Sequence, residues 1–209
     1  MTRDTLHLTR RGLPVTKYHP PATIHLFKAS LHLKKHHITG LLVIKRMETP
    51  PFSGNTPPPT PPQTGRGDCP AVYRIVFMNE VGMTFFDMEM KTDSFTVISC
   101  FESLNKQALV KILETDFRML VGMDSLNTGK VFRQKGTNRM VVSGTAGKYK
   151  IWQTFSSSGD TLYTTAAKST IADPVIIDYN NYAKGVPLKI TISNPFIGMK
   201  LSLRKLASD

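Results

Sequence analysis

Histidines are the side chains of this sequence best suited to bind a metal ion. All six lie before residue 38, and His32, His36 and His37 are close neighbours along the chain. Metal sites usually combine histidine with cysteine or carboxylate ligands, yet no Cys, Asp or Glu occurs between residues 5 and 47. We therefore expect these histidines to be solvated residues at a strand turn, and we expect neither a metal nor a cofactor.

Two fragments resemble nucleotide-binding or hydrolytic motifs without completing them. Gly147-Lys148 is followed by Tyr149 instead of Ser or Thr, and the position five residues before Gly147 is Val142, so the phosphate-binding loop spacing fails. The fragment beginning at Ser143 lacks the glycine that a nucleophile elbow places two residues earlier. The sequence thus offers no motif for nucleotide hydrolysis or for a serine hydrolase.

The remaining reactive side chains are few. Cys100 lies in an apolar strand pattern with no activating base near it in the sequence, and a disulfide with Cys69 remains an open alternative. The chain has 15 carboxylates. Among them, Glu114 and Asp116 fall on the expected polar side of a helix, where a solvated role is more common than acid/base catalysis. We expect that the protein is not an enzyme.

The chain is basic, with a formal net charge of +12. Residues 1–46 hold nine Lys and Arg against one Asp. Such a field attracts anionic lipid headgroups and nucleic acid alike. Because the aromatic residues are interleaved with aliphatic ones, the pattern favours an apolar interior over a base-stacking surface. Membrane contact is expected, and nucleic-acid binding is the weaker alternative.

No stretch approaches the apolar length of a transmembrane helix. The first 22 residues lack the apolar run of a signal peptide and contain no cysteine that could carry a lipid. We expect residues 1–22 to be an irregular basic segment and residues 23–209 to form a single domain. Residues 49–68 are rich in Pro, Gly and Thr, which predicts an exposed loop insertion between strands.

Alternation of apolar and polar residues predicts most of the remaining chain to be strand. A polar turn at residues 35–37 separates the first two strands. An Asn194-Pro195 turn joins the last two, in which Leu188, Ile190 and Ile192 share one face. The predicted strands are 24–34, 38–47, 72–78, 84–90, 95–101, 131–135, 139–145, 148–155, 162–168, 188–193 and 197–203.

One segment has helical periodicity. We predict a helix from about residue 106 to 121, with Asn105 as N-cap and Gly122 ending it. Glu114 and Arg118 should face outward as an i,i+4 pair. The apolar stripe consists of Leu109, Ile112, Leu113, Phe117 and Leu120.

The segment Tyr73 to Met90 resembles a hairpin of the LolB-like outer-membrane lipoprotein receptors. It consists of a basic and aromatic strand, an Asn-x-apolar-Gly turn at residues 79–82, and a second strand. The later order of strand, helix and closing hairpins is similar as well, so the resemblance extends over about residues 24–206. It departs from the family in the proline-rich insertion and in the absence of a lipidated cysteine near the start.

The resemblance implies a mainly β fold, a half-open antiparallel β-barrel of the LolA/LolB type with a helix covering its open side. In those receptors an exposed apolar residue in the hairpin loop helps deliver cargo to the membrane, and Val81 holds that position here. Met83, beside Gly82, would share the role at the tip. The residues we expect to line the ligand cavity are Phe27, Leu31, Tyr73, Phe77, Phe85, Leu109, Leu113, Phe117, Ile151, Ile190 and Leu201.

The function that these expectations favour is a monomeric, non-catalytic carrier or receptor in the cell envelope, at the periplasmic face of the outer membrane, which binds lipid or lipoprotein acyl chains. The first alternative is an interaction or structural lipoprotein whose side chains fill the cavity. A basic nucleic-acid-binding β protein is the second. An empty apolar cavity of several hundred cubic ångström would favour the carrier.

Overall fold

Twelve strands and one α-helix account for most of the residues that the computed structural model describes, which are 24–34, 36–47, 72–123, 126–169 and 173–206. The predicted segments 1–22 and 49–68, and Cys69, lie outside these ranges. The strands are β1 (Ile24–Leu33), β2 (His36–Met47), β3 (Val72–Met78), β4 (Thr84–Met90), β5 (Phe95–Cys100), β6 (Asn127–Arg133), β7 (Met140–Ala146), β8 (Tyr149–Phe155), β9 (Leu162–Lys168), β10 (Val175–Ala183), β11 (Val186–Asn194) and β12 (Met199–Lys205).

All twelve strands belong to one antiparallel sheet. Its order is β5-β4-β3-β2-β1-β12-β11-β10-β9-β8-β7-β6, so β1 and β12 meet in the middle of the sheet, with Ala29 opposite Leu203. Strands β5 and β6 form its two edges and do not pair with each other. The sheet is therefore not closed, which confirms the fold class expected from the sequence.

The alternation that predicted the strands places apolar side chains on one buried face. On β1, Phe27, Ala29 and Leu31 are buried, while on β12 the buried residues are Met199, Leu201 and Leu203. Residues from both halves of the sheet and from the helix join in one apolar core. Burial of this face contributes most of the stabilisation, since apolar transfer dominates folding.

The helix α1 spans Gln107–Leu120. Its N-cap is Lys106, so the prediction of Asn105 was wrong by one position; Lys106 has extended dihedral angles and makes no side-chain capping bond, because lysine offers no acceptor. At the other end Gly122 has φ 68°, and Met123 donates to the Arg118 carbonyl at 3.0 Å. This Schellman arrangement confirms the predicted termination.

The polar side of α1 is less solvated than predicted. Arg118 Nε donates to Glu114 Oε1 at 3.0 Å, which confirms the i,i+4 pair. Both residues are only partly exposed, however, and Arg118 also donates to the backbone carbonyls of Thr92 and Ser94 at 3.2 and 3.0 Å. The two hydrogen bonds to Thr92 and Ser94 connect α1 to the turn between β4 and β5.

Three details of the strands differ from the sequence expectation. Strand β10 was missed, although Val175, Ile177 and Tyr179 alternate and are buried. Strands β1 and β2 pair as far as Leu33 opposite His36, so His36 belongs to β2 and not to a turn. The strand predicted at residues 131–135 begins and ends too late along the chain, since β6 spans Asn127–Arg133.

The predicted face of the last hairpin is interrupted at Leu188. Ile190 and Ile192 are buried as expected, but Leu188 is exposed. In the pairing of β10 with β11, Asn180 is opposite Lys189 and Tyr182 is opposite Pro187, but Asn181 and Leu188 between them are not paired. Asn181 also has a positive φ of 55°. The local break in the ladder turns Leu188 outward.

Substitution of Leu113 by Ala should lower the free energy of unfolding by about 2 to 5 kcal/mol, through lost burial and the cavity left behind. Leu113 is 2% exposed and lies in the apolar core. Chemical denaturation would measure the loss. A decrease below about 0.5 kcal/mol, the range of ordinary surface changes, would show that the helix does not pack as described.

Candidate ligand-binding site

The side chains predicted to line a ligand cavity are packed together inside the protein. Phe77 contacts Phe85 and Phe86 with ring centroids 5.2 and 5.5 Å apart, and Phe86 lies 5.7 Å from Phe117. Such close aromatic pairs are typical of a filled core. All eleven residues of the predicted set are buried, namely Phe27, Leu31, Tyr73, Phe77, Phe85, Leu109, Leu113, Phe117, Ile151, Ile190 and Leu201.

A pocket of about 400 Å³ lies elsewhere, between α1 and the neighbouring ends of strands β8 to β11. Antiparallel pairing brings these ends together, since Ala167 on β9 is opposite both Ile151 on β8 and Val175 on β10. None of the eleven predicted cavity residues contributes to its wall. The lining residues are Ala108, Lys111, Ile112, Thr115, Asp116, Lys148, Tyr149, Ala167, Ser169, Asp173, Val175, Asn194 and Phe196.

A carboxylate and an amide are buried in the wall of this pocket. Asp116 is 1% exposed and Asn194 is 4% exposed. Asn194 Nδ2 donates to both carboxylate oxygens of Asp116, at 3.3 and 3.4 Å. Asn194 Oδ1 has no hydrogen-bond partner among the described residues. A buried acceptor without a partner lowers stability, so this polar pair is placed in the pocket wall at an energetic cost.

Burial raises the pKa of Asp116 from 3.8 to about 7, and the hydrogen bond from Asn194 only partly opposes this shift. Loss of hydration disfavours the charged form of a carboxyl group, whereas a donated hydrogen bond favours it. The placement corrects our sequence interpretation, which put Asp116 on the solvated side of the helix. Near neutral pH a large fraction of Asp116 is therefore protonated.

The rim of the pocket carries exposed charges and one exposed aromatic ring. Lys111 extends from α1, Lys148 from the β7–β8 turn, and Asp173 from the residues before β10. Phe196, in the short 3-10 helix Pro195–Ile197, is 67% exposed. The pocket thus combines an apolar wall, a buried polar pair and a charged entrance, which is the usual composition of a small-molecule site.

A second, smaller cavity of about 270 Å³ adjoins this rim on the basic side. It shares Lys148, Tyr149 and Ser169 with the larger pocket. The residues that line it are Thr145, Gly147, Lys148, Tyr149, Lys150, Trp152, Lys168 and Ser169.

The β3–β4 hairpin tip presents the two apolar residues that the sequence singled out. Val81 is 89% exposed and Met83 is 47% exposed. Asn79 Oδ1 accepts hydrogen bonds from the backbone N–H groups of Val81 and Met83 at 3.1 and 2.8 Å, and Gly82 has φ 88°. The tip therefore has a defined conformation that holds Val81 outward.

The described histidines differ in their burial and in their contacts. His32 and His37 are exposed, their rings stack with centroids 3.9 Å apart, and Ser30 Oγ lies 2.9 Å from His37 Nε2. His25 is buried, and burial together with the charge of Lys205 lowers its pKa. The described part of the chain contains no cluster of three or more His, Cys, Asp or Glu side chains that could hold a metal.

Cys100 is half-buried at the end of edge strand β5 and forms no disulfide within the described residues. Burial raises the pKa of its thiol, which is the direction opposite to nucleophile activation. The alternative of a disulfide with Cys69 stays untested, because Cys69 lies outside the described residues.

Comparisons with solved structures find proteins of similar fold. No protein-family model and no curated protein matches the chain. A DUF1329 family protein from Desulfovibrio piger is 8% identical, with a TM-score of 0.55 over 90% of this chain and 85% of that one. A putative outer membrane lipoprotein-sorting protein domain from Vibrio parahaemolyticus is 11% identical, with a TM-score of 0.52 over 88% and 83%.

What the three chains share is the fold. At these identities the likeness shows a similar fold alone, and it does not single out LolB receptors. Among the described residues, no helix has the length and hydrophobicity to cross a membrane.

Sequence reasoning missed the polar pair for different reasons. Asp116 continues the helical spacing of Ile112 and Leu113, so the periodicity alone could have placed it on the buried face. Asn194 was interpreted only as a turn residue. Its contact with Asp116 joins positions 78 residues apart, and no local pattern contains that information.

Asp116→Asn should make unfolding less dependent on pH. Because the pKa of Asp116 is higher in the folded state, the carboxyl contributes stability that is complete below about pH 4 and is lost as the pH rises through about 7. We expect the free energy of unfolding of the native chain, minus that of Asp116→Asn, to fall across this interval by at most about 4 kcal/mol. Well above pH 7, this difference in the free energy of unfolding should no longer change with pH.

Chemical denaturation of both proteins at a series of pH values would measure this difference. Groups such as His25 titrate in both chains, so their contributions cancel. A difference that stays constant from pH 4 to 7 would show that Asp116 has an ordinary pKa and is not buried as described.

Proposed function

We propose that this protein is a non-catalytic cell-envelope protein that binds acyl chains of lipids or lipoproteins in the pocket between α1 and the ends of β8 to β11. The observation that carries the proposal is the pocket itself, whose volume of about 400 Å³ lies in the range of small-molecule sites and whose wall includes Ile112, Ala167 and Val175. An acyl chain suits such a wall because burial of its methylene groups is favourable at each carbon.

The fold supports this proposal at the level of architecture. This chain, an unclosed antiparallel sheet with one helix packed on it, is similar in fold to a structure described as a putative outer membrane lipoprotein-sorting protein domain. Fold alone does not assign function, so the site must carry the argument. The proposal includes an envelope location and contact with a membrane surface through the tip residues Val81 and Met83.

A second candidate function is an interaction protein that kept the fold and filled its interior. The observation that favours it is the burial of the eleven residues first expected to line the cavity, since all of them belong to one apolar core. The two candidates differ in whether the remaining pocket accepts a ligand.

Ala108→Trp tests the pocket. Ala108 is exposed on the first turn of α1 and lines the pocket, so a large ring there should occupy ligand space at little cost in stability. We expect binding of a monomeric medium-chain fatty alcohol, measured by calorimetry, to weaken by about 10-fold or more, equivalent to about 1.4 kcal/mol.

The matched control is Gln107→Trp, since Gln107 is also exposed on the first turn but does not line the pocket. Its alcohol affinity should equal that of the native chain. If the native chain binds neither the alcohol nor a fatty acid of equal length, or if Ala108→Trp binds the alcohol unchanged, the acyl-binding proposal fails and the interaction protein is the better description.

Val81→Glu tests delivery at the membrane. Because Val81 is 89% exposed, the change should leave the free energy of unfolding within about 0.5 kcal/mol. Transfer of a bound acyl probe to lipid vesicles should slow, since a charged tip enters the bilayer interface poorly. Stopped-flow fluorescence of a labelled fatty alcohol would measure the transfer rate.

The control for this change is Leu188→Glu, which introduces the same charge at another exposed apolar residue, on β11. Equal slowing by both variants would attribute the effect to net charge. Unfolding of Val81→Glu would show instead that Val81 packs against the rim.

A further inference from the structure

Three lysines are gathered beside the mouth of the proposed acyl pocket. Lys148 lies in the turn before β8, and Lys150 on β8 is directly opposite Lys168 on β9. Like charges on directly opposed residues of neighbouring strands destabilise a sheet. All three residues are exposed, and none forms an ion pair with a carboxylate in the part of the chain that the structure describes.

Aromatic rings fix the direction of two of these ammonium groups. Lys148 Nζ lies 5.5 Å from the centroid of the Tyr149 ring, and Lys150 Nζ lies 5.2 Å from that of Trp152. Both distances are within the range of a cation–π interaction. The rings thus reduce the freedom of the lysines and hold their charges around the smaller cavity of about 270 Å³.

The basic cavity and the apolar pocket are neighbours with shared walls. Lys148, Tyr149 and Ser169 line both. A molecule that fills the larger pocket can therefore reach the lysines at its mouth. The exposed carboxylate at this rim, Asp173, lines the apolar pocket but not the basic cavity, so no acidic side chain is among the described residues of the basic cavity's wall.

We infer that the ligand of the apolar pocket is an anionic amphiphile, whose acyl chain occupies the pocket and whose carboxylate or phosphate headgroup binds Lys148, Lys150 and Lys168. This inference rests on the proposed acyl-binding function and names the chemical class of its ligand. Charge complementarity supports it, because an anionic headgroup relieves the repulsion between Lys150 and Lys168 and a neutral headgroup does not.

The test compares two monomeric probes of equal chain length, a medium-chain fatty acid and the corresponding alcohol. The variant is Lys150→Gln/Lys168→Gln, which leaves the shared residue Lys148 and the apolar wall unchanged. We expect the fatty acid to bind about 10-fold more weakly than to the native chain, while binding of the alcohol is unchanged. Added salt should weaken binding of the acid selectively, because it screens the charges.

Two matched variants control for net charge and for chemistry. Lys189→Gln/Lys200→Gln removes two exposed lysines of β11 and β12, outside both cavities, and should bind both probes as the native chain does. Lys150→Arg/Lys168→Arg keeps the charges and should retain binding of the acid. Thermal unfolding of each variant verifies that the fold is intact.

The outcomes separate this inference from the proposed function. If neither probe binds the native chain, both fail. If the alcohol binds but the Gln variant loses acid and alcohol equally, or the control variant loses the acid as well, the headgroup site is wrong while acyl binding stands.

Two further measurements address other sources of anionic ligand. Inorganic phosphate that binds the native chain as tightly as the fatty acid would identify a site for a free anion. A Gln variant that loses affinity for anionic vesicles, but not for the monomeric acid, would identify a membrane-docking surface. Either result would overturn the inference.

Discussion

The packing of one helix onto the inner face of an unclosed sheet is the interaction on which the rest of the structure depends. Because β5 and β6 do not pair, the sheet cannot bury its apolar face by closing on itself. Helix α1, which connects these two edge strands, inserts Leu113 and Phe117 into the core. The cost of an open sheet is thus offset by apolar burial against the helix.

The same helix separates a filled interior from an open pocket. Its apolar stripe faces the aromatic cluster of β3 and β4, where Phe86 contacts Phe117. Its next face, with Ala108, Ile112 and Asp116, forms one wall of the pocket near the ends of β8 to β11. The pocket therefore lies beside the helix, while the described residues beneath it belong to the apolar core.

Polar groups in and around that pocket are placed at an energetic cost. Asp116 and Asn194 are buried, and one acceptor of the pair has no partner among the described residues. Lys150 is opposite Lys168, and neither forms an ion pair with a described carboxylate. Arrangements of this kind lower stability unless another molecule compensates for them. The buried polar pair and the opposed lysines line two adjoining cavities. This placement is the physical basis for proposing a ligand site at this end of the sheet.

The sequence by itself determined most of the elements and the faces of most of their residues. Alternation defined strands such as the one carrying Phe27, Ala29 and Leu31, helical spacing defined the buried stripe of α1, and Gly82 and Gly122 marked a hairpin tip and a helix end. These features depend on local dihedral preferences and on periods of two or 3.6 residues, which neighbouring positions encode.

Only the tertiary structure decided which side chains meet. Asp116 and Asn194 are 78 residues apart, and Lys150 is opposite Lys168 only because β8 and β9 pair in one particular register. The aromatic residues expected around a cavity are buried in the apolar core. Periodicity assigns a residue to a face but not to a partner, and the distribution of empty space depends on how all the faces pack together.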